Sequence, residues 1–327
     1  MKRLCLLAGY NKHGIIQDYV VYYAEQMSKI ADVYYLGDFN KIDQKELDRL
    51  KPHVKYADAY RHSKYDFGCW QELIINVIGW NKVKEYDELI FCNDSCYGPI
   101  FPIEDIFEKF ENDEEADVFG LIKNSFKKQI YLENFFIVFK KNVITSDVFK
   151  DFLLSIKKEE YFTNFVRDYE INLSKTLIEN NFKLKVLINN DRLDVNYNWK
   201  SLIKLGFPFF KIKNFTKFAK KYKIESMFHW DKFLSKNTNY DVNIIRRHLI
   251  STKCSDCNNL GYLLKSITIY KIKRLIKKLF AIHITRKVRI IKIFGFHIVN
   301  RYFSYENGDR IKYPCIYYDK NNIIDKL

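Results

Sequence analysis

Strand-like and helix-like segments alternate along the first 195 or so residues of the chain. Short apolar runs that end in polar or turn-forming residues predict strands at Arg3–Tyr10, Asp32–Phe39, Val54–Tyr60, Asp87–Asn93, Ala116–Ile122, Asn134–Lys140 and Phe182–Ile188. Helical spacing of apolar residues predicts helices at Gln17–Ile30, Phe67–Trp80, Pro102–Phe110, Ser146–Ile156 and Asp168–Asn181. This alternation predicts an α/β fold in which a mainly parallel sheet is flanked by helices.

The predicted strand at Asp87–Asn93 ends in three small polar residues, Asn93, Asp94 and Ser95, shortly before a Gly-Pro turn. Ligands of parallel α/β sheets bind at the carboxyl ends of the strands. The pattern therefore predicts a ligand site at this edge. Asn, Asp and Ser side chains also cap turns, and a turn cap is the alternative interpretation.

Several common phosphate-binding and nucleophile motifs are absent from the sequence. Neither G-x-G-x-x-G nor G-x-x-x-x-G-K-[ST] occurs, so the usual dinucleotide and Walker A phosphate cradles are excluded. No G-x-S-x-G nucleophile elbow occurs either. A strand end that is acidic but lacks a glycine cradle favours nucleotide-sugar chemistry, in which a metal or basic side chains hold the diphosphate.

Positive charge is concentrated near the C-terminus. Residues 257–301 contain 11 Lys or Arg and no Asp or Glu, and they carry most of the net charge of +15. Such a segment predicts an anionic partner, either phospholipid or nucleic acid. Residues 269–280 place apolar side chains on one helical face and basic ones on the other, which is typical of a helix at an anionic membrane surface. A helix packed on the protein body is the alternative, and Lys287–Val299 predicts a β-hairpin or paired strands.

Secretion and membrane spanning are not predicted. The apolar run after Met1 is too short for a signal peptide, and no stretch reaches the roughly 18 apolar residues of a membrane span. The seven Cys have scattered spacing, which favours reduced, buried thiols in a cytoplasm. Cys254 and Cys257 form a lone C-x-x-C, for which a structural zinc is the minor alternative.

Segments between residue 3 and about residue 250 resemble the rhamnan synthesis protein F family of bacterial polysaccharide glycosyltransferases. The resemblance rests on SKYDFGCW (Ser63–Trp70), YDELIFCNDSCYGPIFP (Tyr86–Pro102), ADVFGL (Ala116–Leu121), ENFFIVFKKNVITSDVFKDF (Glu133–Phe152), YEINLS (Tyr169–Ser174) and WKSLIKLGFPFFK (Trp199–Lys211). It implies a GT-A-like, Rossmann-type fold that transfers a sugar from a nucleotide diphosphate donor, with L-rhamnose as the family's namesake.

The resemblance also implies a role for the polar strand end. GT-A enzymes carry a D-x-D motif there, whose carboxylates hold a divalent metal, Mn or Mg, against the donor diphosphate. Asn93, Asp94 and Ser95 occupy that place, so the resemblance implies that they bind the donor and that Asp94 is the metal ligand. Because Mg²⁺ often takes only one or two carboxylates, the single carboxylate leaves the metal requirement open.

A second implied donor-binding segment is YDFGCWQE, which begins at Tyr65. Asp66, Phe67 and Gly68 are assigned to the nucleoside or sugar of the donor, and Arg61 to its diphosphate. Glycine lets a ligand approach the backbone closely, which favours Gly68 for this role. Asp66 as a helix N-cap is an equal alternative, and Trp70 is expected in the core.

Three further residues at the ends of predicted strands complete the implied donor site. Gly9 and Tyr10 end the first strand, and Asp117 belongs to ADVFGL. A capping or turn role is the alternative for Asp117.

The resemblance implies that Glu170 is the catalytic base. In inverting GT-A enzymes a helix often begins with an acidic pair whose second member deprotonates the acceptor. Leu173 and Leu177 lie three and seven residues after Glu170, on one helical face. A position at the helix N-terminus would keep this carboxylate ionised. Asp168 is the alternative base; without the resemblance, the commoner interpretation of both acids is that of ordinary first-turn residues.

The sequence therefore predicts a GT-A-like catalytic domain over residues 1–198, a helical acceptor-side extension over 199–256 and a basic amphipathic tail over 257–327. The expected function is inverting transfer of a sugar, L-rhamnose being one candidate, from a nucleotide-sugar donor to a glycan or lipid-linked glycan acceptor of a surface polysaccharide. We expect a peripheral protein at the cytoplasmic face of the bacterial inner membrane, where residues 262–300 contact anionic lipid.

Two other classes of function remain as alternatives. A GT-A-like fold with an incomplete D-x-D could bind a nucleotide sugar or a partner without turnover. The basic, aromatic-rich tail could bind nucleic acid, although no nucleic-acid-binding signature occurs in the sequence and no nucleic-acid partner is expected.

Overall fold

The structure is a computed structural model that describes residues 1–252, except 41, 112–114, 127–128, 160, 191–192 and 216–228, together with the backbone of four strands between residues 280 and 318. The chain divides into two compact units, Met1–Ser255 and Asp256–Leu327. Within the described ranges, no helix has both the length and the apolar character needed to cross a bilayer.

An eight-stranded sheet forms the centre of the first unit. The strands of this unit are β1 (Arg3–Gly9), β2 (Asp32–Gly37), β3 (Tyr56–Ala59), β4 (Glu88–Asn93), β5 (Cys96–Tyr97), β6 (Val118–Phe126), β7 (Gln129–Leu132), β8 (Phe136–Lys140), β9 (Leu184–Ile188) and β10 (Phe210–Lys211). The main sheet has the order β3-β2-β1-β4-β8-β6-β7, with β9 paired to β6, while β5 and β10 form a separate two-stranded sheet.

The strands of the main sheet run mostly in one direction. β1, β2, β3 and β4 pair in parallel, and β8 is antiparallel to both β4 and β6. β9 is parallel to β6 and β7 is antiparallel to it, so within the main sheet only β7 and β8 run in the opposite direction to the other strands. The predicted α/β fold with a mainly parallel sheet is confirmed.

Each helix that the periodicity predicts in the first 195 residues has a counterpart in the structure, and two further helices, Trp230–Asn237 and Val242–Ser251, lie in the stretch predicted only as a helical extension. The helices are α1 (Asp18–Ser28), α2 (Gln44–Asp48), α3 (Tyr65–Glu72), α4 (Trp80–Val83), α5 (Glu104–Glu111), α6 (Lys141–Ile144), α7 (Asp147–Leu154), α8 (Phe162–Phe165), α9 (Asn172–Glu179), α10 (Trp199–Lys204), α11 (Trp230–Asn237) and α12 (Val242–Ser251). π-Helical segments follow α3 at Leu73–Ile78 and α8 at Val166–Ile171, and a 3₁₀ turn covers Ile212–Phe215. The predicted cap of α7 is confirmed, because the Ser146 side chain accepts a hydrogen bond from the Phe149 backbone N–H.

Trp70 joins α3 to the sheet, and its predicted place in the core is confirmed. Its side chain is fully buried and stacks on Phe91 with ring centroids 4.5 Å apart. The indole N–H donates to the backbone carbonyls of Leu6 and Cys92, at 3.1 and 3.2 Å. This packing fixes the start of α3 next to the carboxyl ends of β1 and β4.

The segment that follows α10 is tied to the residues after β4. Strand β10 pairs antiparallel with β5, so that Lys211 lies opposite Cys96. Two backbone hydrogen bonds extend this contact, from the Ile100 N–H to the Pro208 carbonyl and from the Ile212 N–H to the Ser95 carbonyl. Residues distant in sequence are thereby held at the polar end of β4.

The described cysteines agree with the prediction of buried thiols. Cys5, Cys69, Cys92 and Cys96 are free and buried. Desolvation in the core raises the pKa of the Cys5 and Cys69 thiols well above the usual value. The C-x-x-C pair lies outside the described residues.

The second unit contains a four-stranded antiparallel sheet in the order β11 (Phe280–Ile284), β12 (Val288–Ile293), β13 (Phe296–Ser304) and β14 (Arg310–Tyr318). The stretch predicted as paired strands contains β12 and the first part of β13, which pair antiparallel. The predicted amphipathic helix lies outside the described residues except for Phe280, which begins β11.

Candidate functional site

A cleft of about 620 Å³ opens at the carboxyl ends of β1 and β4. Of the residues predicted for the site, those that line it are Gly9, Tyr10, Arg61, Asp66, Asn93, Asp94, Ser95 and Glu170. The parallel pairing of β1 with β4 places Ala8 opposite Asn93, so the residues that follow the two strands meet at one edge. Phe67, Gly68, Asp117 and Asp168 do not line the cleft.

The polar end of β4 combines a turn cap with a carboxylate that faces the cleft. The Asn93 Oδ1 atom accepts from the Ser95 backbone N–H at 3.2 Å and from its hydroxyl at 2.6 Å, as in the turn-cap interpretation. Asp94 differs, because its Oδ2 atom accepts the Tyr10 backbone N–H at 2.9 Å across the strand edge. The turn therefore uses Asn93 and Ser95 and leaves Asp94 at the cleft.

A chain of amide hydrogen bonds links Asp66 to Glu170. The Asp66 Oδ2 atom accepts from the Asn93 and Asn134 side-chain amides, at 2.8 and 2.9 Å. The Asn134 amide also donates to the Glu170 Oε1 atom at 3.1 Å. Asp66 is the second residue of α3 and faces the cleft, so the N-cap interpretation does not apply to it.

The cleft carboxylates are harder to ionise than usual. Burial, with the neighbouring Asp66 charge adding to it, raises the pKa of Asp94 to about 7. Burial, with the charges of Asp66 and Glu133 adding to it, raises the pKa of Glu170 to about 8. Burial also raises the pKa of Asp66. These carboxylates therefore hold their protons to a higher pH than exposed carboxylates do.

Glu170 lies inside a helical run and not at its start. The run begins at α8, continues through the π-helical segment Val166–Ile171 and ends with α9. The prediction of a first-turn position is wrong because Phe165 and Tyr169, four residues apart, are both buried and extend the helical face upstream. Burial, not a helix dipole, therefore sets the pKa of Glu170. π-Helical segments are frequent at functional sites.

The apolar stripe that follows Glu170 packs as predicted. Leu173 and Leu177 are both buried. They belong to the same core cluster as Trp70 and Phe91. This packing anchors α9 and positions the segment that carries Glu170.

Asp168, the alternative base, points away from the cleft. Both of its carboxylate oxygens accept hydrogen bonds from the exposed Arg167 guanidinium. That ion pair lowers the pKa of Asp168. Two residues along a helical run point to different sides, which is why Asp168 and Glu170 cannot share one site.

Two residues of YDFGCWQE serve the core and not the cleft. Phe67 is fully buried and packs against Trp70 with ring centroids 4.9 Å apart. A Cβ atom on Gly68 would lie 2.2 Å from the Lys64 Cβ atom and 2.7 Å from His62. The glycine thus makes room for the preceding loop and not for a ligand.

Asp117 has a capping role at another part of the sheet. Its carboxylate accepts from the Asn142 side chain at 2.6 Å and from the Lys183 backbone N–H at 2.7 Å. These bonds join the start of β6 to the segments before β9 and within α6. The turn or capping interpretation therefore describes its contacts.

Arg61 reaches the cleft but is already paired. Its guanidinium lies 3.1 Å from the carboxylate of Asp38, which is 2% exposed. Asp38 also accepts the backbone N–H groups of His62 and Ser63. Asp38 follows β2 and holds the loop that carries Arg61 against the strand edge.

Helix α12 closes another side of the cleft. His248 lines the cleft and shares a hydrogen bond of 2.6 Å with the Tyr97 hydroxyl. Burial lowers the pKa of His248 to about 4. An ion pair of 2.5 Å between Arg247 and Asp18 fastens α12 to α1.

Sequence reasoning missed several residues that line the cleft: Asp38, Glu133, Asn134, Lys211, Lys213 and His248. Glu133, Asn134 and Lys211 belong to segments that carried the family resemblance, which was a usable signal. The other three follow no motif that the sequence displays.

The side chains that line the cleft could hold a divalent metal only together with oxygen atoms of a bound ligand. No group of three or more His, Cys, Asp or Glu side chains within the described ranges is arranged to hold a metal. Asp94 forms no ion pair with any described residue, and its carboxylate is a hard oxygen ligand. The residues therefore fit a cation shared between Asp94 and phosphate oxygens, and not a metal held by protein alone.

The raised pKa values predict a pH dependence of stability. The pKa of Glu170 is about 8 in the folded chain and 4.5 in the unfolded chain, so between these values the folded state binds the proton more tightly. The free energy of unfolding therefore falls as the pH rises through this range. Burial lowers the pKa of His62 and His248, which opposes this trend near pH 6.5, but that contribution is common to wild type and Glu170→Gln and does not affect the comparison of their slopes. We expect the free energy of unfolding to fall between about pH 6.5 and 8.5, with a shallower slope in Glu170→Gln. Denaturant unfolding across that range measures it, and equal slopes in both proteins would contradict the raised pKa.

Solved structures of sugar transferases are similar to this chain at low identity. A protein of Desulfovibrio desulfuricans described as a nucleotide-diphospho-sugar transferase is 14% identical, with 72% of this chain and 99% of that chain covered and a TM-score of 0.35. The glycosyltransferase GlyE of Streptococcus pneumoniae is 11% identical, with 77% and 64% covered and a TM-score of 0.39. The galactosyltransferase LgtC is 10% identical, with 73% and 97% covered and a TM-score of 0.36. No curated protein matches the chain.

The mixed α/β sheet, with a polar cleft at the carboxyl ends of its parallel strands, defines an α/β protein of the class that binds ligands at this edge of the sheet. The model of the rhamnan synthesis protein F family matches residues 37–292. The chain is therefore a member of the rhamnan synthesis protein F family, as the sequence resemblance implied. The family match begins at residue 37, whereas the resemblance begins at residue 3, and it ends at residue 292, beyond residue 250 and within the second unit.

Proposed function

We propose that the chain is an inverting glycosyltransferase that moves a sugar from a nucleotide diphosphate donor to a hydroxyl of a glycan acceptor. The observation that carries this proposal is the meeting of Asp94 and Glu170 in one cleft at the carboxyl edge of the sheet. L-Rhamnose is the first donor sugar to test, because it is the namesake of the family. The acceptor is a surface polysaccharide or its lipid-linked precursor.

Glu170 is the proposed general base. Asn134 holds its Oε1 atom, which fixes the carboxylate toward the cleft. A base is most effective when its pKa lies near the working pH, and a pKa of about 8 meets that condition. The acceptor hydroxyl oxygen attacks the anomeric carbon, its proton passes to Glu170, and the bond between that carbon and the phosphate oxygen breaks. The nucleoside diphosphate leaves with the bonding electrons.

Asp94 is the proposed protein ligand of a divalent metal bound together with the donor. Such a metal would neutralise charge on the leaving diphosphate. Asn93 and Ser95 support Asp94 by forming the turn that presents it. Asp66 is positioned by two amides and lines the same cleft, where it would contact the donor.

The aromatic rim of the cleft suits the flat parts of both substrates. Tyr10 is 59% exposed and Phe162 is 52% exposed, although both line the cleft. Exposed rings bind nucleobases and the apolar faces of sugars by stacking. Tyr10 adjoins Asp94 and is proposed to contact the donor, whereas Phe162 precedes Glu170 and is proposed to contact the acceptor.

A position at the cytoplasmic face of the inner membrane belongs to the same proposal. Lipid-linked acceptors are presented there, and residues 262–300 carry the charge that anionic lipid attracts. Sedimentation of the protein with vesicles of anionic lipid, but not of neutral lipid, is the direct measurement of that attraction.

The proposed function is tested with a panel of nucleotide sugars that includes dTDP-L-rhamnose. Purified protein is incubated with each donor and a lipid-linked glycan acceptor, with Mn²⁺, Mg²⁺ or EDTA, and the release of nucleoside diphosphate is measured. Acceptor-dependent release from one donor, with inversion at the anomeric carbon, is expected. Binding of a donor without release would favour a non-catalytic nucleotide-sugar-binding protein, and the absence of both would contradict the proposal.

A further inference from the structure

Lys211 places a buried ammonium group at the cleft. Its residue is 7% exposed, and its Nζ atom lies 3.3 Å from the Ser95 hydroxyl and 3.8 Å from the centroid of the Phe135 ring. No Asp or Glu of the described ranges lies within ion-pair distance of it. Lysine is almost never buried in this way without a paired anion, because desolvation of its charge is costly.

The backbone forces this placement. Phe210 is fully buried, so the alternation of β10 turns Lys211 toward the opposite side, over Ser95. Pairing of β10 with β5 and the hydrogen bond from the Ile212 N–H to the Ser95 carbonyl hold that register. The cation is therefore built into the cleft and is not a mobile surface side chain.

The contacts of Lys211 leave two of its N–H groups available for further hydrogen-bond acceptors. An ammonium group has three N–H donors, and the Ser95 hydroxyl accepts one of them. The Phe135 ring contributes a cation–π contact but no hydrogen-bonding oxygen. A ligand oxygen in the cleft can accept the remaining donors.

We propose that Lys211 binds a phosphate oxygen of the donor directly, so that the diphosphate is held even without a divalent metal. This inference rests on the proposed function, because it identifies the anion as the diphosphate of the donor. The Ser95 hydroxyl holds the ammonium at the polar end of β4, and Lys211 and Asp94 line the same cleft. The lysine thus supplies positive charge at a strand end that lacks the second carboxylate of D-x-D.

The test is calorimetric titration of the full chain in EDTA with inorganic pyrophosphate, UDP and dTDP. Wild-type protein is expected to bind pyrophosphate and at least one nucleoside diphosphate. Lys211→Met and Lys211→Gln are expected to weaken binding about tenfold or more, because a charge-assisted hydrogen bond is lost. Lys211→Arg retains the charge and is expected to restore most of the affinity.

Lys204→Met is the matched control, since Lys204 is exposed and does not line the cleft. It is expected to bind as wild type does. Thermal unfolding without ligand shows whether Lys211→Met and Lys211→Gln are folded, so that a loss of binding is not mistaken for a loss of structure. Pyrophosphate should raise the melting temperature of wild-type protein and of Lys204→Met, but not of Lys211→Met.

The outcomes distinguish this inference from the proposed function. Unchanged affinity in folded Lys211→Met and Lys211→Gln overturns the role of Lys211 and leaves the transferase proposal standing. Binding by wild-type protein that occurs only with Mn²⁺ or Mg²⁺ likewise overturns the role of Lys211 and leaves the transferase proposal standing. Absence of binding under every condition, together with no turnover of any donor, overturns both.

Discussion

Glu170→Gln is expected to lower the rate of sugar transfer by about 10²- to 10⁴-fold, the usual contribution of a general base. Glutamine keeps the size of the side chain and can still contact Asn134, but it cannot take the acceptor proton. The loss should therefore appear in kcat, with little change in donor affinity. Steady-state release of nucleoside diphosphate, together with donor binding by calorimetry, measures the two quantities separately.

Asp168→Asn is the matched control for that experiment. Asp168 is a neighbouring carboxylate on the same helical run, but it pairs with Arg167 and lies outside the cleft. Its removal is expected to change the rate less than about twofold, since the substitution is at the surface. A large loss in Asp168→Asn with normal activity in Glu170→Gln would reverse the assignment of the base.

The dependence of kcat/KM on pH tests the assignment of Glu170 as the base independently. Only ionised Glu170 accepts a proton, so kcat/KM is expected to rise with pH and to level off above about 8. The cleft carboxylates interact, so this apparent pKa belongs to the set of Asp66, Asp94 and Glu170. The rising limb should be absent in Glu170→Gln, and an unchanged limb would show that another group titrates.

Asp94→Asn is expected to reduce metal-dependent transfer by about a hundredfold to a thousandfold. Charge neutralisation by a metal is worth several kcal/mol, and each 1.36 kcal/mol is tenfold in rate. Asparagine keeps the hydrogen bond from the Tyr10 N–H but loses the charge that would hold the cation. Initial rates as a function of Mn²⁺ or Mg²⁺ concentration in wild type and variant provide the measurement.

The controls for Asp94 separate metal binding from general loss of charge. Asp117→Asn removes a carboxylate that was also predicted for the site but caps the Lys183 N–H elsewhere in the sheet. Its rates are expected to remain near those of wild type. Metal-dependent transfer that survives in Asp94→Asn would contradict the role of Asp94, whereas pyrophosphate binding in EDTA should survive if Lys211 holds the phosphate.

The predicted fold and the observed fold agree because the decisive signals are local. Strands buried on both faces read as short apolar runs, as at Arg3–Gly9 and Glu88–Asn93, and the longer helices show a clear period. Elements of four or five residues, such as Gln44–Asp48 and Phe162–Phe165, are too short to show a period. They were missed for that reason.

From the residues alone, the candidate site was predictable where its residues follow a strand, whereas Asp66 and Glu170 were predicted from the family resemblance. Asp94 could be placed from the sequence because β4 ends beside it and parallel strands present their carboxyl ends together. Gly68 was predicted to contact the donor, but the sequence alone does not distinguish a glycine that makes room for a ligand from one that makes room for a neighbouring side chain. The difference appears only when Lys64 and His62 are seen to fill the space.

The sequence by itself determined the order of strands and helices, the family, and the polar end of β4, because each depends on residues close together in the chain. Tertiary structure alone decided that Glu170 is buried inside a helical run, that Asn134 joins it to Asp66, and that Lys211 lies against Ser95. Those contacts join residues from distant segments. Their burial and charge, which set the chemistry of the cleft, exist only once the chain has packed.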